Sequence, residues 1–180
     1  MSTARIYVAC LAAYNNGILH GQWIDANQDA DGIREDVQAM LSRSPIKGAE
    51  EWAIHDSEGL GSFPGEYASF EDVATIAEAM TGDHARGFGW LRDCVGLSIE
   101  DAAEQAENVL IHESTALDLA KDYAEDLIHE QYGDVLKGLP DIIRYNIDAA
   151  GIAHELEQAG DIVEAEDAEG RFLVTNANDF

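Results

Sequence analysis

The chain has 180 residues, 46% of them hydrophobic, which is enough to bury a core and excludes a disordered acidic tail. Aspartate and glutamate total 36 against 10 lysines and arginines, a formal net charge of −26. Such a chain repels nucleic acid and anionic lipid and attracts basic surfaces, of which nucleic-acid-binding grooves are the largest common class.

The N-terminal third reads as α/β. Residues 5–11 are β-branched and apolar, the pattern of a buried strand with Ile6, Val8 and Cys10 inward. Asn15, Asn16 and Gly17 close residues 12–17 as a turn, and residues 21–24 form a second strand. Asp31 is placed to cap a helix carrying Ile33, Val37, Met40 and Leu41, which Pro45 stops. Residues 51–55 make a third strand, and residues 59–65 a glycine-punctuated loop. The middle is helical. Ser69 with Asp72, and Ser98 with Asp101, are capping pairs that open helices on Val73, Ile76, Ala77 and Met80 and on Ile99, Ala102, Ala103 and Ala106. Between them residues 88–95 form a short segment with Trp90 and Leu91. The last third is α+β. Residues 109–112 read as a short strand. Ser114 is placed to cap a helix to about Glu130, with Leu117, Ala120, Ala124, Leu127 and Ile128 inward. Pro140 opens a short helical turn, Asp148 caps a helix ended by Gly160, and residues 162–166 and 171–175 flank a closing hairpin turn.

Cys10 and Cys94 form no CxxC pair, so a disulfide framework is not expected and a reducing cytoplasm fits. The stretch from Met1 to Leu11 is short for a signal peptide and runs into polar Asn15 and Asn16; no apolar run has membrane-spanning length. No HExxH, Walker A or GxSxG pattern occurs. His154-Glu155 begins like a zinc helix, but Gln158 stands where the second histidine belongs. The histidines at 20, 55, 84, 112, 129 and 154 are scattered singly. Asn27-Gln28-Asp29-Ala30-Asp31-Gly32 resembles the start of an EF-hand loop, yet Gln38 replaces the bidentate glutamate. Gly59-Leu60-Gly61 is followed by Gly65, one residue too late for a dinucleotide fingerprint. The expectation is a protein without catalytic, cofactor or metal residues.

The acids are patterned. Asp118, Asp122, Glu125 and Asp126 stack along one predicted helix face, and Glu100, Glu104 and Glu107 along another. Like charges at i, i+4 cost an isolated helix roughly 0.2–0.5 kcal/mol per pair, so stability alone does not select them. Successive turns set them ~5–6 Å apart, close to the phosphate repeat of a nucleic-acid strand. At one charge per ~1.7 Å of duplex, the net charge matches roughly 44 Å, or about 13 base pairs. A compact chain of this length has a radius of gyration near ~16 Å, so good imitation calls for an elongated or end-to-end paired molecule. High acid with only three lysines is also the composition of a salt-adapted protein.

Three blocks carry a family resemblance. The first is Arg5-Ile6-Tyr7-Val8-Ala9-Cys10-Leu11-Ala12-Ala13-Tyr14-Asn15-Asn16-Gly17, continuing through Leu19-His20-Gly21 and Trp23-Ile24-Asp25-Ala26. The second is Glu51-Trp52-Ala53-Ile54-His55-Asp56-Ser57-Glu58-Gly59 with Gly65-Glu66-Tyr67. A weaker third runs from Tyr145-Asn146-Ile147-Asp148 through Ile152-Ala153-His154-Glu155-Leu156 to Gly160-Asp161. Together they resemble the ArdA antirestriction family over nearly the whole chain. The resemblance implies an elongated α+β chain of three small sub-domains: residues 1–66 α/β with a small sheet, 67–108 helical, and 109–180 acidic α+β. It implies a non-catalytic, cytoplasmic homodimer, carried on mobile elements and protecting DNA during conjugative transfer. Its partner would be the methyltransferase core of type I restriction-modification enzymes, with no nucleic acid, membrane or cofactor bound. Asp25, Asp56, Glu58 and Glu66, in or beside the matched blocks, join Glu100, Glu104, Glu107, Asp118, Asp122, Glu125 and Asp126 as expected phosphate mimics. The region from Leu117 to Leu127 is the candidate for the family's acidic, leucine-containing motif. Two other readings compete: an acidic module that binds another basic DNA-binding protein, and a small enzyme of a salt-adapted cell.

Overall fold

The computed structural model describes residues 4–180, so the first three residues of the N-terminal stretch lie outside it. The fold is α+β, and the chain divides into two compact units, Met1–Ala106 and Glu107–Phe180.

The first unit is built on a three-stranded antiparallel sheet in the order β2-β1-β3, formed by β1 (Arg5–Cys10), β2 (Gly21–Asp25) and β3 (Trp52–Glu58). Alternation in β1 sends Ile6, Val8 and Cys10 into the core, where they are fully buried. The opposite face sets Tyr7 directly across from Trp23, ring edge to face at 5.5 Å, with the Arg5 guanidinium over the indole at 4.7 Å. Gly21 is required here, because a Cβ would lie 2.7 Å from both the Tyr7 hydroxyl and the Val8 carbonyl. The register of β3 slips between Tyr7 and Val8, so that Asp56 opposes Tyr7 while Ile54 opposes Val8. This bulge keeps Ala53 and Ile54 buried and turns His55 and Asp56 outward.

The apolar face of α2 (Ala30–Ser42), with Ile33, Val37 and Met40 buried, covers the inner face of the sheet. Its cap is Asp29, which accepts from the Gly32 amide at 2.8 Å, two residues ahead of the expected Asp31. Both are good caps; with Asp29 in that place, Asp31 falls in the first turn and pairs with Arg34. Residues 12–17 also differ from the expected turn. Leu11–Tyr14 first make one helical turn, α1, and only then does Gly17 reverse the chain at φ +72°. The helices α3 (Phe70–Thr81), α4 (Ala85–Trp90) and α5 (Ile99–Gln105) continue this unit. Ser69 and Ser98 cap α3 and α5 as the sequence predicts, accepting from Asp72 at 3.0 Å and Asp101 at 3.1 Å. Phe70 stacks on Trp52 at 4.4 Å, which places α3 against β3. A π-helical turn at Leu91–Val95 ends at Gly96 in the left-handed region.

The second unit has its own antiparallel sheet, β4-β6-β5, from β4 (Ile111–His112), β5 (Val163–Asp167) and β6 (Gly170–Val174). Two helices pack together over it: α6 (Leu119–Lys137) and α8 (Ala149–Ala159). The short α7 (Asp141–Arg144) follows Pro140. The core is Leu119, Ala120, Ala124, Ala149, Ala153, Ile162 and Leu173, so alanines from both helices form the seam. Asp148 caps α8 through the Gly151 amide at 2.9 Å, and Gly160 ends it at φ +79°, as predicted. The cap of α6 is a correction. Asp118 accepts from the Lys121 amide at 2.9 Å, four residues beyond the expected Ser114, which instead accepts from the Ala116 amide at 3.1 Å. Starting at Leu119 buries Leu119 and Ala120 and leaves Leu117 exposed. The helix also runs seven residues past Glu130, to Lys137.

Leu173 is fully buried at the centre of this core. Leu173→Ala is expected to lower unfolding free energy by roughly 2–5 kcal/mol. Urea unfolding followed by circular dichroism reads the change; a loss under about 1 kcal/mol would show that the site collapses around the smaller residue.

Candidate functional site

Among the described residues, no polar or charged side chain is buried. The whole charge of −26 therefore faces solvent on two small frames. The second unit is the denser: 18 acids and four bases in its 74 residues, against 18 acids and six bases in the 106 residues of the first. The bases do little to break up the negative surface, because at least six of the ten hold a carboxylate: Arg5, Arg34, Lys121, Lys137, Arg144 and Arg171.

The densest feature is α6. Its register puts Asp118, Asp122, Asp126, Glu130 and Asp134 in one row of four-residue steps. Each step climbs about 6 Å and turns about 40° around the axis, so the row winds along roughly 24 Å of helix. Of these five, Asp122 is half-buried and the rest are exposed. Glu125 sits beside the row and pairs with Lys121 at 3.2 Å; Asp134 pairs with Lys137 at 2.8 Å. Asp134 lies beyond the expected end of the helix near Glu130, and Glu130 stands at that end; both continue the four-residue spacing from Asp118.

Two residues in the row have local partners. Asp118 spends one oxygen on the helix cap. Asp122 takes hydrogen bonds from Ser114 and from His112, whose Nε2 lies at 3.1 Å, and these hold its carboxyl below the usual aspartate range. In the sequence His112 stands apart from the other histidines. The strand β4 instead brings its ring beside Asp122, ten residues away, with Tyr123 edge-on at 5.4 Å.

In the first unit the expected mimics are separate rather than aligned. Asp25 ends β2 and accepts from the Asn27 amide at 2.9 Å. Asp56 projects from the bulged stretch of β3 and accepts from the Ser57 amide at 2.8 Å. Glu58 is tied to Arg5 at 2.6 Å across the sheet, which partly neutralises it. Glu66 is exposed in the loop after β3, where its carbonyl accepts from the Ile54 amide at 2.9 Å. Glu100 and Glu104 are exposed one turn apart on α5. Glu107, the first residue of the second unit, is exposed too, but it lies beyond α5, in a 3-10 turn over Ala106–Asn108, so the regular spacing ends before it.

One ion pair ties the β5–β6 hairpin of the second unit to the start of α6. Arg171 on β6 grips both oxygens of Glu164 on β5, one of them at 2.7 Å from Nη2, and also donates to the Leu117 carbonyl at 3.3 Å. It thereby links the hairpin to the segment that leads into α6. The Arg171 hydrogen bonds, with its charge, hold the Glu164 carboxyl below its ordinary range.

The model of the antirestriction protein family ArdA matches residues 6–168 of the chain. No curated protein matches it.

The lowered Glu164 value has a pH signature. Its contribution is fully present above the ordinary value of 4.5 and is lost as pH falls through the lowered folded value. Glu164→Gln is therefore expected to be less stable than the parent at pH 7, by no more than about 1 kcal/mol for so exposed a pair. That difference should shrink below about pH 4.5. Parallel urea unfolding of both chains at neutral and acid pH measures it; a gap that widens in acid would contradict the assignment.

Proposed function

The chain belongs to the ArdA antirestriction family, and from that premise we propose that it is a DNA mimic. It occupies the DNA-binding groove of type I restriction-modification enzymes at the methyltransferase core. The observation that carries this reading is the row of carboxylates wound along α6, within a surface that buries no charge.

The physics is competition. A DNA groove is lined with lysines and arginines that neutralise phosphates and displace condensed counterions. Carboxylates at regular spacing on a helix present the same sign of charge, and the first turns of α6, which carry Asp122, are fixed to its unit by Leu119, Ala120 and Ala124. Preorganisation matters because the acids then need not be gathered at the moment of binding. No base edge is imitated, so enzymes with different recognition sequences should be inhibited alike. Inhibition by occupancy requires no catalytic group, cofactor or metal. The protein acts in the cytoplasm, where incoming DNA meets restriction, and it is carried by mobile elements during conjugative transfer.

A homodimer would double the charged surface. Tyr132 and Val135 share a face of the outer half of α6, and Ile142, Ile143 and Tyr145 follow on and beside α7; all five are exposed. Exposed apolar groups this close in sequence, on an otherwise charged unit, suit a surface that a second copy covers.

The test titrates the full chain into a complex of a purified type I methyltransferase and labelled duplex, at two salt concentrations. Near-stoichiometric displacement that weakens with salt is expected. Combining Glu125→Gln, Glu130→Gln and Asp134→Asn should flatten the slope of log affinity against log salt by up to about 0.9 per lost contact. No displacement at low salt by the folded chain would sink the reading. It would favour an acidic module for another basic DNA-binding protein.

A further inference from the structure

We propose that His112, Asp122 and Asp126 form a binding site for one divalent transition-metal ion. Their donor atoms all lie within 4.8 Å of one another, and the His112 Nε2 to Asp122 Oδ2 edge is 3.1 Å. Two donors sharing an ion at bonds of about 2.0–2.2 Å stand roughly 3.0–3.5 Å apart in octahedral or tetrahedral geometry. That edge is therefore already at ligating separation. Asp126 is exposed, one helical turn beyond Asp122, and a side-chain adjustment of no more than roughly 2 Å brings it in.

The donor chemistry selects the class of ion. One imidazole nitrogen with two carboxylate oxygens suits Zn²⁺, Mn²⁺, Co²⁺ or Ni²⁺, whereas Ca²⁺ takes six to eight oxygens. The histidine separates this group from the many acidic clusters that such a composition produces. It comes from a different element, and its place is fixed by the pairing of His112 with Leu173 in the sheet and by the edge of Tyr123. Water fills the remaining positions.

A bound ion ties β4 to α6 and cancels charge where the acids on α6 are densest. This goes beyond the antirestriction reading and does not depend on it, because binding is measured on the protein alone.

The experiment uses the full chain, stripped with chelator, in ~0.15 M salt with excess Mg²⁺ to occupy diffuse carboxylate sites. Zn²⁺ is titrated by calorimetry, and the melting temperature is recorded with and without it. One equivalent is expected to bind and to raise the melting temperature. Asp126→Asn should weaken binding at least about tenfold, and His112→Gln should abolish it. Replacing Glu155 and Glu157 on α8 by glutamine should leave it unchanged. Zn²⁺ binding that survives His112→Gln, or that consists only of several weak equivalents displaced by Mg²⁺, overturns the site. If His112→Gln fails to fold, parent-like affinity in the Asp126→Asn chain, altered only at an exposed position, does the same.

Discussion

Like-charge repulsion is the constraint that the rest of this structure obeys. A net charge of −26 on 180 residues favours any expansion that separates the acids. The fold answers by keeping every acidic and basic side chain of the described residues out of its cores, so that water screens them. The first unit turns the apolar side of its three-stranded sheet toward α2, and the second buries Phe172, Leu173 and Val174 of β6, with α6 and α8 packed together over the sheet. The acids occupy what is left over: strand edges, loop turns and the outer faces of helices.

This division of labour explains what could be read from sequence. Features set by a residue's near neighbours were legible. Ser69, Ser98 and Asp148 cap the helices they were expected to cap, and the turn around Asp167 to Gly170 closes the hairpin formed by β5 and β6. The buried side of β1 followed from its alternation. Where two good caps stood close together, the sequence alone chose wrongly. Asp29 displaced Asp31, and Asp118 displaced Ser114, because the packing of Ile33 in one unit and of Leu119 in the other fixes the helical register. A local pattern carries no record of that packing.

Contacts across elements were the other blind spot. His112 stands on a strand of two residues, too short for any periodicity, and meets Asp122 only because β4 pairs with β6 beneath α6. The grip of Arg171 on Glu164 needs a hairpin register that the turn implies but side-chain patterning does not name. The acidic surface was legible in kind and not in arrangement. Asp122 is half-buried, Glu58 is partly neutralised and Glu107 leaves the helical spacing, while Glu130 and Asp134 lengthen the row on α6.

The alanine seam between α6 and α8 limits how far this design can be pushed. Ala120, Ala124, Ala149 and Ala153 let the helices approach closely, but each buries little apolar surface, and burial contributes only about 25 cal/mol per Å². A small unit held this way has a narrow margin of stability from which to absorb further like charges. Selection for a stronger decoy would therefore meet a ceiling in the second unit before it ran out of surface positions. Passing that ceiling would take larger side chains in the seam, which would push the two helices apart and shift the carboxylates on α6. Its charge and its geometry cannot be improved independently.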